Sequence, residues 1–144
     1  MGSKSKVWFF FEEKTFSLSN RNLLKKFVEG IFIREGIKLE NLNYIFCSDE
    51  RILNINREFL KHDYYTDIIT FQLSANGPVQ AEIYISVDRV KDNARALGAT
   101  FKSELHRVIF HGVLHLCGYR DKTKTERMVM REAEDKYLKH YFIR

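Results

Sequence analysis

Two histidines four residues apart, His111 and His115, lie in the stretch HGVLHLCGYRD, residues 111–121, followed by Gly118 and Asp121. On a helix such residues are stacked one turn apart and only about 40° apart in projection, so two imidazoles reach one ion. The zinc-binding helix H-E-x-x-H uses the same spacing. Gly118 would return to the face of His111 if the helix continued. Without a Cβ it leaves that space open, and it accepts the left-handed backbone that turns a chain back. Asp121, three residues past the turn, then offers a third donor. Two nitrogens, one carboxylate oxygen and a fourth place for water make the open form of a zinc site, the form found in catalysis. Such an ion brings the pKa of its water towards ~7 and polarises a carbonyl or phosphoryl oxygen, which suits hydrolysis.

The spacing has a plainer reading, since core helices also carry paired histidines by chance. Cys117 is a soft donor close by, but it projects about 200° from His115 and reads as core. Gly112 stands where the protease helix carries its glutamate base, which disfavours a peptidase. No residue stands out as a general base. Glu104, on the face of His111 about 10 Å away, reads as a supporting group beyond the ligands.

The elements that must position these groups follow from periodicity. Val7 to Phe11 and Leu42 to Cys47 read as buried strands. Between them Leu23, Leu24, Phe27, Val28, Ile31 and Phe32 follow Ser19-Asn20 with helical spacing. Ser48-Asp49 caps a helix with an apolar stripe of Ile52, Leu53, Ile55 and Phe59. After a polar, aromatic loop from Lys61 to Thr66, strands from Asp67 to Leu73 and Val79 to Val87 flank Asn76-Gly77-Pro78, and the pair predicts an antiparallel hairpin. Helices follow from Asp88 to Leu97, stopped by Gly98, and from Thr100 to Cys117, stopped by Gly118. Thr123 and Glu126 form a capping box for a last helix whose apolar face reads Met128, Val129, Ala133, Tyr137, Leu138 and Tyr141. This order predicts an α+β fold of the αβα type in a single domain, 1–144: a mixed four-stranded sheet, mostly parallel with one antiparallel strand, covered by about five helices.

The 144 residues suffice for one core, and 44% apolar with 30% charged residues is ordinary for a globular chain. No apolar run approaches the ~20 residues of a membrane span. The amino-terminal MGSKSK lacks the apolar core of a secretory signal, so a cytoplasmic address is expected. Cys47 and Cys117 have no paired spacing, which fits a reduced compartment. The net charge of +5 favours an anionic partner such as nucleic acid, although a basic surface that is merely solvated fits as well.

The histidine stretch resembles the H-G-x-L-H-L-x-G-Y-x-H signature of the YbeY family of bacterial endoribonucleases. NREFLKHDYYTDIITF, residues 56–71, and AEIYIS, residues 81–86, resemble that family's Asn-Arg, Thr-Asp and strand patterns in the same order. The resemblance implies a zinc-dependent hydrolase, with one Zn²⁺ per chain, cutting single-stranded RNA. It implies roles in ribosomal RNA maturation, notably the 3′ end of the 16S rRNA, and in ribosome quality control. The expected partners are ribosomal RNA or the ribosome and its associated proteins, with no membrane. Carried over by position, the three ligands are His111, His115 and Asp121, with aspartate where the family keeps a third histidine. The added negative charge makes bound water less acidic and the site more tolerant of Mn²⁺ or Mg²⁺.

Leu60 replaces an arginine that many members of the family direct at substrate; Arg57 and Lys61 are the candidate substitutes. Arg120 and Lys122, with Lys124 and Arg127, form a basic fringe that is either a phosphate contact or a solvated helix start. Asp67 either accepts a histidine N–H beside the metal or caps a turn. Glu82, in an otherwise apolar strand, is either on the solvent face or near the cleft. The alternative to an endoribonuclease is a ribosome-assembly factor that binds RNA around a structural metal without cutting it.

Overall fold

The computed structural model describes residues 4–143; Met1 to Ser3 of the amino-terminal segment, and Arg144, lie outside the described residues. The strands are β1 (Val7–Phe11), β2 (Leu39–Cys47), β3 (Ile68–Gln72) and β4 (Val79–Ser86); β1, expected to be buried, lies at the sheet edge with Trp8 and Phe10 half exposed. The four join in the order β1-β2-β4-β3, with β1, β2 and β4 parallel and β3 antiparallel to β4. The helices are α1 (Arg21–Arg34), α2 (Asp49–Ile55), α3 (Val87–Leu97), α4 (Phe101–Leu116) and α5 (Lys124–Phe142). The mixed four-stranded sheet and its helical cover are those expected. Among the described residues no helix is long and apolar enough to cross a membrane.

Side chains set the helix starts. Ser48, Ser86 and Thr100 each accept a backbone N–H of the first turn, and Thr123 and Glu126 complete the capping box of α5. At the other ends Gly98 (φ 67°) and Gly118 (φ 99°) adopt the left-handed conformation that stops α3 and turns the chain after α4.

Two apolar faces differ from the expected stripes. Phe59 is 65% exposed, because the chain leaves α-helical geometry at Asn56 and makes a turn of π-helix over Asn56–Leu60. The wider turn swings the ring off the face of Ile52 and Ile55, and Phe59 lies T-shaped against Phe71 with centroids 6.4 Å apart. On α5, Met128 is exposed and Met130 is buried in its place. Met130 shares its face with Ala133, Tyr137 and Tyr141, and Met128 projects roughly 160° away from it. Val129, on the flank, is half exposed.

α4 is the central helix, and it lies close on the sheet. The Tyr44 hydroxyl, fully buried on β2, donates to the Ile109 carbonyl at 2.9 Å. A Cβ on Gly112 would come within 2.8 Å of Ile83 Cδ1 and 3.1 Å of Ile68 Cδ1. Any larger residue at 112 would have to displace the Ile83 and Ile68 side chains that fill the space between α4 and the sheet. Gly112→Val will destabilise the fold by about 1–3 kcal/mol, the usual cost of overpacking. A fall in thermal midpoint of several degrees is the expected reading, and an unchanged midpoint would show that the contact yields freely.

Candidate metal centre

α4 presents His111 and His115 to the edge strand β3, so that a cavity bounded by Thr66, Asp67, Thr70, His111, His115 and Asp121 opens between helix and strand. The histidines come from two successive turns, and their ring centroids are 4.5 Å apart. Asp121 arrives from the loop beyond Gly118, and one of its oxygens, Oδ2, lies 3.3 Å from Nε2 of both histidines. One donor atom from each of the three residues lies within 4.8 Å of the others, the only such candidate group among the described residues.

The return of Asp121 has two causes. Gly118 reverses the chain with nothing within 4 Å of where its Cβ would stand. Next to it the Tyr119 hydroxyl donates to Glu35 Oε1 at 3.0 Å, while Tyr137 of α5 donates to the other oxygen at 2.5 Å. Burial and the Glu35 charge push both phenols up from their usual range. The loop is thus tied to the end of α1 and to α5.

His111 is oriented from behind by Glu134. Its Nδ1 lies 2.6 Å from Glu134 Oε2, which leaves Nε2 facing Asp121. Arg107 holds the other Glu134 oxygen at 2.9 Å and Asp135 at 2.7 Å. Burial alone would lower the His111 pKa, but the hydrogen bond and charge of Glu134, joined by Asp121 and Asp67, raise it. A neutral imidazole donating Nδ1–H to a carboxylate is the tautomer and ring orientation of a metal ligand. The donor set, two Nε2 atoms and a carboxylate oxygen that converge on one point, fits a divalent ion such as zinc.

Of the two readings of Asp67, acceptor for a histidine or cap of a turn, the first place is taken for His111 by Glu134. Asp67 accepts from the Asn93 side-chain amide at 3.5 Å and keeps its wall position in the cavity. Burial pushes its carboxyl up against the pull of His111. Glu104 is buried, lines a smaller cavity behind the site with Asp67, His111 and Glu134, and is likewise raised by burial. Arg120 and Lys122 flank Asp121 and His115. Arg57 is drawn into an ion pair with Asp63, and neither it nor Lys61 is among the residues lining the cavities at the three donors. Glu82 alternates with Ile83, which meets Gly112 of α4, so Glu82 belongs to the opposite face of the sheet and accepts from Tyr84. Cys117 packs against the core with its thiol pushed up to about 12 by burial, consistent with its reading as core.

Glu134 was missed by the sequence reading. Its trace was present: an acidic residue on the face that carries Met130, Ala133, Tyr137 and Tyr141, where a charge needs a partner.

The profile of the family described as Endoribonuclease YbeY matches residues 8–142. A relative named Endoribonuclease YbeY from Cytophaga hutchinsonii is 50% identical, the alignment covering 94% of this chain and 96% of that protein. Another of the same name from Porphyromonas gingivalis is 45% identical, covering 93% and 89% respectively. The solution structure of a protein from Thermotoga maritima superposes with a TM-score of 0.63 at 31% identity, covering 94% of this chain and 89% of the other.

Proposed function

The chain belongs to the Endoribonuclease YbeY family, and from that premise we propose that it is a metal-dependent endoribonuclease, cutting single-stranded RNA in ribosomal RNA maturation and ribosome quality control. The observation that carries the reading is the convergence of His111, His115 and Asp121 beside a cavity at a sheet edge. These three residues would hold the ion, one per chain. A bound zinc would act there as a Lewis acid towards a phosphoryl oxygen and bring water into the range where it attacks at neutral pH.

The chain's own groups do the rest. Glu134 fixes the His111 ring and is itself held by Arg107. Arg120 and Lys122, beside Asp121, supply positive charge for the phosphates that flank the cut. Arg57, in the π-helical turn, and Lys61, at the start of the loop that leads into β3, serve the strand farther from the ion. Asp67 and Glu104 keep the inner wall of the site acidic, which favours a cation. A cytoplasmic location, where ribosomal RNA is matured, accords with this role.

The test joins metal analysis to cleavage. The purified protein should carry about one zinc per chain, cut a single-stranded oligoribonucleotide, and leave the matching duplex intact. Chelator should abolish the cutting, and returning zinc or Mn²⁺ should restore it. RNA bound tightly but never cut, by a protein whose metal is present, would replace this reading with that of an assembly factor.

A further inference from the structure

The loop that delivers Thr66 and Asp67 to the cavity carries two adjacent aromatic side chains, Tyr64 and Tyr65, which are 54% and 51% exposed. We propose that these two rings are a stacking platform for unpaired nucleobases of the RNA strand beside the metal centre. The inference rests on the reading of that centre as a site of RNA cleavage.

Position is the first argument. Tyr65 immediately precedes Thr66, a wall residue of the cavity, so its Cα is about 3.8 Å from that wall residue's and the Cα of Tyr64 is no more than ~7 Å away. A strand with its phosphate at the three donors has this loop within reach of its neighbouring bases.

Preorganisation is the second. Each ring is already backed on one side: His62 stacks on Tyr64 with centroids 5.1 Å apart and planes 20° apart, and the Arg89 guanidinium lies 5.2 Å from the centroid of Tyr65. The backbone beneath is pinned by Asn56, which is 2% exposed and donates its side-chain amide to the Tyr64 carbonyl at 2.8 Å. His62 returns a backbone N–H to the Asn56 carbonyl at 2.9 Å. Two half-exposed rings held in fixed orientation bind planar ligands with little ordering left to do.

Chemistry is the third. An aromatic face accepts any base, but only a strand whose bases are unstacked can offer one, so the platform selects single strands over duplex without reading sequence. Lys61, at the start of the same loop, brings positive charge to the neighbouring phosphates, while Arg89 is held in place under Tyr65 by its ion pair with Asp49 at 2.6 Å.

Fluorescence anisotropy of a labelled single-stranded oligoribonucleotide on the chelated protein, together with steady-state cleavage by the metal-loaded protein, tests this. Tyr64→Ala and Tyr65→Ala should each weaken binding about tenfold, as loss of one base-stacking ring does. Each should raise KM far more than it lowers kcat, with metal content unchanged. Tyr64→Phe and Tyr65→Phe, which keep the ring, should stay within about threefold of the unaltered protein. An oligoribonucleotide made abasic next to the cleavage site should weaken binding to the unaltered protein and cause no further loss in the alanine variants. The platform is overturned if the alanine variants bind within about twofold of an unaltered protein that still cuts RNA, or if phenylalanine costs as much as alanine. If the unaltered protein neither binds nor cuts RNA, the reading of the metal centre falls first and the platform with it.

Discussion

Replacing His115 by alanine will leave a folded protein that no longer retains metal and no longer cuts single-stranded RNA. The side chain is about one third exposed, so its truncation removes few core contacts and stability should change little. What disappears is one of the three proposed donors. Removing a group that merely supports a ligand costs 10–100-fold in metal affinity, so loss of the ligand itself should cost on the order of 100-fold or more. Elemental analysis after gel filtration, a melting curve and a cleavage assay read the three parts of the expectation separately. Cleavage that persists in a metal-free, folded His115→Ala protein would sink the proposed mechanism.

Glu134→Ala is expected to have the second largest effect, and to act on both stability and metal. Glu134 takes hydrogen bonds from His111 and Arg107 in a region where its side chain is 7% exposed and that of Arg107 17%. Truncation leaves the guanidinium with Asp135 alone and the imidazole without an acceptor. Breaking such a buried pair costs about 3 kcal/mol, the low end of the usual range because Asp135 stays. For a domain of this size the midpoint should fall by roughly 6–12 °C. The ring of His111 becomes free to turn, and affinity for zinc should drop about 10–100-fold. Glu134→Gln keeps an acceptor oxygen for His111 and should recover much of the affinity. If alanine lowers the midpoint without weakening zinc binding, Glu134 serves packing alone.

Both expectations concern groups that differ in how they could be read. His111 and His115 are related by one helical turn, and Gly118 and Asp121 follow within a few residues, so local geometry was enough to group the three candidate donors, although the loop that returns Asp121 is also held by Glu35. The sheet was legible for a similar reason. Strand alternation, the Asn76-Gly77-Pro78 turn and the glycine stops of α3 and α4 are short-range events, each decided by neighbours in the chain. The helix faces were legible only as far as the period held. A π turn at Asn56 broke it and exposed Phe59, while on α5 the choice between Met128 and Met130 depended on which face α4 would cover.

By itself, then, the sequence determined the α+β order of elements, the spacing of the metal donors and, through its likeness to a family, the class of substrate. The tertiary structure decided what stands behind those donors. Glu134 is 23 residues from the histidine it orients, and Glu35 is 84 from the tyrosine it holds. No periodicity links such pairs, because a hydrogen bond between helices depends on how the helices pack and not on their own repeat. The same packing explained Gly112, which the sequence marked only as a glutamate that was missing. In the folded chain it is where α4 meets Ile83 and Ile68 of the sheet, on the helix that carries both histidines to the cavity.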